Sequence, residues 1–145
     1  MKIYTIGFTK KSASKFFGLL RVAQTSTLID VRLNNVSQLA GFAKRDDLRF
    51  FLAELCNMTY AHHPELAPTQ NMLDDYKKHG SGWSAYEEQF LALMQDRRIQ
   101  NTLARDQVDN AVLLCSEDKP HQCHRRLVAE YLARHWGDTT IEHLT

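Results

Sequence analysis

One stretch of this sequence gathers most of its reactive groups: Leu113-Leu114-Cys115-Ser116-Glu117-Asp118-Lys119-Pro120-His121-Gln122-Cys123-His124-Arg125-Arg126-Leu127. Apolar residues ending in a thiol read as a buried strand, a polar loop follows, and Cys-His-Arg-Arg opens a helix. Unsatisfied backbone N–H groups and the positive end of that helix then face the loop, which makes an anion cradle. Arg125 adds a planar, two-pronged grip for phosphate, sulfate or carboxylate. His124 titrates near neutral pH and can move a proton, while the helix end lowers the pKa of Cys123 and favours its thiolate. Arg125 and Arg126 stand about 100° apart on a helix, so only one turns to the site, and Arg125 is the one expected there.

The elements that must hold these groups alternate between two periods. Short apolar runs at Ile3-Tyr4-Thr5-Ile6, Leu28-Ile29-Asp30-Val31, Met58-Thr59-Tyr60-Ala61 and Ala111-Val112-Leu113-Leu114 read as strands, and a fifth covers Thr140–Leu144. Between them, Ser12 or Ser14 can cap a helix carrying Phe16, Phe17, Leu19, Leu20 and Val22. A second helix over 46–56 offers Phe50, Phe51, Leu52 and Leu55 to the core, with Cys56 as a core residue. Prolines and glycines in 64–82 predict an excursion or lid with a short helix at 72–78. One long or broken helix is expected over 83–103, and a last one over 123–136, stopped by Gly137. The fold expected is a single α/β domain over 1–145: one open, mostly parallel sheet of about five strands with helices on both faces.

Sites in such sheets form beyond the carboxyl ends of the strands. The residues delivered there are Thr5 and Gly7, Asp30 and Arg32, His62 and His63, then Cys115, Ser116 and Glu117. Thr5, Gly7, Arg32 and Arg125 are the anion-binding candidates, and His124 and His63 the acid/base groups. Asp30 and Glu117 orient an arginine or histidine, and Cys115 or Cys123 is the reacting thiol. Each has a plainer use. Cys115 can simply end a core strand, with Glu117 and Asp118 opposing its thiolate; Asp30 can be a structural ion pair; His62 and His63 point to opposite faces. Glu65 is a further carboxylate candidate. Tyr4, Tyr60, Tyr76, Tyr86 and Trp83 can stack on a base or pack the core and lid.

Cys115, His121, Cys123 and His124 are all acceptable zinc ligands, and the two cysteines can also form a redox pair. The spacing matches no finger or ribbon, and adjacent Cys123 and His124 diverge on a regular helix. The sequence reading therefore assigns no metal and no cofactor.

With 145 residues, 43% of them hydrophobic and 24% charged, the chain is long enough for one core and excludes collagen-like and disordered scaffolds. A net charge of +1 gives no global attraction to nucleic acid or anionic lipid. No apolar run approaches the roughly 20 residues of a membrane span, and the opening carries no signal-peptide pattern, so a cytoplasmic location with three reduced cysteines is expected.

The combination Tyr4-Thr5-Ile6-Gly7, Ile29-Asp30-Val31-Arg32, His63-Pro64-Glu65-Leu66 and Cys115-x-Glu117 followed by Cys123-His124-Arg125-Arg126 resembles the domain-of-unknown-function 488 family over nearly the whole chain. The resemblance implies a compact α/β domain of the prokaryotic cytoplasm. Phe8-Thr9 stands where that family often has His-Ser, and Leu66-Ala67 where it usually has Leu-Gly. The architecture is also similar to rhodaneses and cysteine phosphatases. Their loops, however, place an arginine about six residues after the cysteine, whereas nine residues separate Cys115 from Arg125.

The function expected is a cysteine- and arginine-dependent enzyme that binds an anionic, for instance nucleotide-like, small molecule. The rivals are a nucleic-acid-binding module using Lys10, Lys11, Lys15, Arg97, Arg98, Arg105 and Arg126, and a redox or zinc-dependent interaction domain.

Overall fold

The computed structural model describes residues 1–36, 40–118 and 120–145, so Lys119 of the 113–127 segment lies outside the described residues. Strands β1 (Lys2–Gly7), β2 (Thr27–Asp30), β3 (Thr59–His62), β4 (Ala111–Cys115) and β5 (Thr140–Leu144) form one sheet in the order β3-β2-β4-β1-β5. Every neighbouring pair is parallel. The insertion of β4 between β1 and β2 brings the loop after Cys115 out at the middle of the sheet. Register sets Gly7 beside Cys115, and Asp30 beside both Leu114 and His62, so the polar strand ends share one rim.

Side chains alternate along each strand and divide the core into two layers. Tyr4, Ile6, Leu28, Val112 and Leu114 pack under α1 (Ala13–Ala23) and α2 (Arg45–Cys56). Ile3, Ile29, Leu113 and Cys115 pack under α4 (Trp83–Arg97) and α7 (His124–Trp136), with α3 (Gln70–Lys77), α5 (Ile99–Thr102) and α6 (Arg105–Val108) around them. The β4 alternation therefore sends the Cys115 side chain to the α7 layer, where Cys123 and His124 stand.

Local signals place most element ends. Ser12, not Ser14, caps α1, its Oγ accepting from the Lys15 N–H at 3.1 Å. In α2 the inward stripe is Leu48 and Leu52, four residues apart, so Phe50 and Leu55 point to solvent rather than into the core, as does Val22 of α1. Cys56 is half-buried instead of core, and desolvation raises its thiol pKa. The 83–103 helix is broken at Arg98, whose φ of 51° is left-handed. The 64–82 segment is docked: Leu66 and Ala67 are buried, and Arg97 of α4 donates to the Glu65 and Ala67 carbonyls at 2.8 and 2.7 Å. Helix α7 starts one residue later than its sequence pattern suggests, because Cys123 is extended at φ −142°, ψ 138°.

Candidate active site

A cleft of about 190 Å³ opens at the carboxyl ends of β2 and β4. One wall carries Cys115, Cys123 and His124, another carries Arg32, and α3 with the start of α4 contributes Tyr76, Lys77, Trp83 and Tyr86. The aromatic groups form a continuous shelf: Trp83 stacks on Tyr86 with ring centres 5.1 Å apart, and Tyr76 lies 5.2 Å from Tyr86. Such a shelf offers flat apolar area, while Arg32 and Lys77 offer positive charge.

The thiol corner is built from two elements that meet only in the folded chain. Cys115 ends β4, and Cys123 and His124 open α7. Cys115 and Cys123 are joined sulfur to sulfur as a disulfide, with Cα atoms 7.1 Å apart, so these two are not the reduced thiols expected from the sequence, and Cys56 is the free one among the described residues. The divergence expected for neighbours on a helix does not apply, because extended Cys123 lies outside the helix and aims independently of His124. His121, the fourth ligand of the zinc reading, is exposed and lies outside the corner.

His124 is held at both ring nitrogens. Nε2 lies 2.7 Å from the Val31 carbonyl, which can only accept, so Nε2 carries the proton and Nδ1 presents its lone pair. That Nδ1 lies 3.5 Å from Cys115 Sγ. Burial, aided by nearby Arg125, pulls the His124 pKa down to about 4 against the opposing pull of the Val31 carbonyl. The ring is therefore neutral at pH 7 and acts as an acceptor rather than a cation.

Asp30 orients Arg32. The carboxylate is fully buried and accepts from Arg32 Nε and Nη2, both at 2.8 Å, from the Arg32 N–H at 3.1 Å and from the Tyr60 hydroxyl at 2.6 Å. Desolvation, reinforced by Asp30, raises the Tyr60 pKa, so this hydroxyl stays a donor. Arg32 is 4% exposed, its guanidinium lies 5.4 Å from the Phe8 ring centre, and its buried Nη1 has no hydrogen-bond partner among the described residues. A buried, charged donor without an acceptor costs free energy until something supplies one.

Arg125 serves a different purpose from the expected clamp. It is fully buried and does not line the cleft. Nε donates to Thr5 Oγ1 at 3.3 Å, Nη1 to the Glu117 carbonyl, and Nη2 to the Asp118 carbonyl at 3.3 Å. Burial lowers its pKa to about 10, so it stays charged at neutral pH and staples the loop after β4 onto β1. Thr5 belongs to the same staple, with Oγ1 2.6 Å from His143 Nδ1. Gly7 is needed for close approach: a Cβ there would sit 1.5 Å from the Glu117 carbonyl oxygen and 2.7 Å from Arg125 Nη1. Thr5, Gly7 and Arg125 thus build the rim without lining the cleft.

Glu117 lines the cleft with an exposed side chain. His63 pairs with Glu65 through Nδ1 and does not line the cleft, while His62 Nε2 lies 2.9 Å from the Arg32 carbonyl. Four members of the basic set are committed within the chain. Lys11 pairs with Asp118 at 2.7 Å, Arg97 and Arg105 donate to backbone carbonyls, and Arg126 pairs with Glu87 and Glu130. Sequence reasoning did not find Lys77, an ordinary basic position on α3, nor the Val31 carbonyl, which has no side-chain signal.

Among the described residues, no helix is long and apolar enough to cross a membrane. Comparison with known proteins matches residues 12–132 to one family model, described as Domain of unknown function DUF488. No curated protein and no solved structure matches.

Proposed function

The chain belongs to the DUF488 family, and we propose that it is a cytoplasmic enzyme whose cleft binds an anionic small molecule with a flat ring, presenting it to the Cys115–Cys123–His124 corner. The observation that carries this reading is Arg32: a buried cation in the cleft wall, aimed by Asp30 and left with one Nη1 that has no partner among the described residues. A phosphate or carboxylate oxygen is the acceptor that donor lacks. Lys77 adds charge at the mouth, and the Tyr76–Trp83–Tyr86 shelf suits a purine or pyrimidine ring. Arg32 takes the clamping role that the sequence assigned to Arg125. The reacting group belongs to the sulfur corner, where, once the Cys115–Cys123 bond is reduced, neutral His124 can accept a thiol proton through Nδ1.

Thermal unfolding in the presence of inorganic phosphate or a nucleoside monophosphate tests the reading. Protection is expected for the parent protein and for Arg125→Lys, and is expected to fall at least tenfold in apparent affinity for Arg32→Gln and several-fold for Lys77→Ala. Equal protection of the parent and both cleft variants, or none for any of them, defeats the anion-binding role.

A further inference from the structure

We propose that Cys115, Cys123 and His124 form a three-ligand site for a divalent metal ion of the zinc class, with its fourth position open to the cleft. The two Sγ atoms and a histidine ring nitrogen all lie within 4.8 Å of one another, on three buried residues. In a tetrahedral site, zinc bonds of about 2.3 Å to sulfur and 2.0–2.1 Å to nitrogen put those ligands roughly 3.5 Å apart. Cys115 Sγ and His124 Nδ1 are 3.5 Å apart, whereas the two sulfurs are bonded to each other, so the site belongs to the reduced protein, in which they separate to ligand spacing.

A second observation, independent of that clustering, points the same way. Nε2 of His124 donates to the Val31 carbonyl at 2.7 Å, which fixes the tautomer that leaves Nδ1 bare toward the sulfurs. Ligating histidines are oriented in this manner by a carbonyl or carboxylate behind the ring. Phe90 packs against the same imidazole at 5.4 Å between ring centres and limits its rotation. Charge balances as well. A thiol reductant, itself oxidised to its disulfide, first supplies the two electrons and two protons that open the Cys115–Cys123 bond. When an M²⁺ ion then enters, each thiol transfers its sulfur electron pair to the metal and releases its proton to solvent, so two protons leave and a neutral M(S⁻)₂N centre remains in the low-dielectric corner.

Two thiolates and one imidazole favour zinc-class ions over magnesium or calcium, which prefer oxygen donors. Three protein ligands leave one coordination position, and all three residues line the cleft, so a water or a ligand oxygen would occupy it. The inference deepens the proposed function by making an ion, rather than a free thiolate, the group that meets the bound molecule. Metal binding itself stands without that reading.

The test uses the full chain, reduced and stripped with a chelator under anaerobic conditions, and titrates it with Co²⁺ alone. One equivalent is expected to bind with sulfur-to-cobalt charge transfer and visible bands of tetrahedral intensity, to be displaced by Zn²⁺, and to release protons. Zinc is expected to shield Cys115 and Cys123 from alkylation while Cys56, outside the cluster, keeps reacting. Cys115→Ser and Cys123→Ser should each weaken Co²⁺ binding by more than the about 10–100-fold that loss of an outer-shell partner costs. Arg32→Gln should retain full metal uptake while losing phosphate protection, which separates failure of this site from failure of the anion reading. No uptake by the reduced parent protein, cobalt bound without sulfur charge transfer, or alkylation of Cys115 and Cys123 unchanged by zinc each overturns the proposal.

Discussion

Asp30→Asn probes the part of the site on which the cleft most depends. The native carboxylate is fully buried and accepts four hydrogen bonds, two from the Arg32 side chain at 2.8 Å, one from the Arg32 backbone at 3.1 Å and one from Tyr60 at 2.6 Å. Asparagine keeps one acceptor oxygen, turns the other into a donor facing donors, and removes the charge opposite a guanidinium that is 4% exposed. Breaking a buried pair from one side costs about 3–5 kcal/mol, because the remaining charge stays buried without its counterion. With a urea m-value of about 2 kcal/mol/M, the midpoint at pH 7 should fall by roughly 1.5–2.5 M. Arg32→Met removes the stranded charge, so the Asp30→Asn/Arg32→Met pair should be more stable than the sum of the single losses by about 2 kcal/mol. A midpoint within about 0.3 M of the parent, or strict additivity in the cycle, would refute the claim that Asp30 holds Arg32 in place.

Three further outcomes follow from the rim and the thiol corner. Gly7→Ala should cost about 3 kcal/mol in chemical denaturation, since its methyl would meet the Glu117 carbonyl at 1.5 Å; a loss under about 1 kcal/mol would show that the loop gives way freely. Arg125→Lys can serve only part of the Thr5, Glu117 and Asp118 acceptor set, so a loss of about 2–4 kcal/mol is expected, along with faster amide exchange around 116–118; unchanged exchange there would remove the staple. In metal-free protein with the Cys115–Cys123 bond intact, the pKa of about 4 at His124 means that the unfolded chain takes up this proton first as pH drops below about 6.5. Its contribution is complete above that pH and is lost toward pH 4, amounting to about 2 kcal/mol between pH 7 and pH 4.5. His124→Gln should flatten that part of the stability profile, and an unaltered slope would count against a buried neutral ring.

Much of this molecule is readable from local pattern. Apolar runs of strand length separated by segments of helical spacing gave all five strands and the parallel sheet, because each crossover helix must bury a stripe against the same layer. Caps and stops at Ser12 and Gly137 are chemical signals carried by single residues. The strand-loop-helix around Cys115 and His124 was visible for the same reason. Hydrophobic type does not fix burial at Val22, Phe50 and Leu55, which are exposed because the helical stripe has room for only some of the apolar residues on each turn.

Composition and periodicity therefore determined the fold class, the polar rim and the small set of residues from which a site can be made. The tertiary structure decided how that set divides. It turned Arg125 inward onto the Glu117 and Asp118 carbonyls and left Arg32 in the cleft wall. It also brought Cys115, Cys123 and His124 together. These outcomes depend on partners that no side-chain pattern announces: the Val31 carbonyl 93 positions from His124, Thr5 120 positions from Arg125, and the insertion of β4 between β1 and β2. Backbone carbonyls are the same in every residue type, so which one a buried arginine or imidazole meets is settled only when distant strands are set side by side.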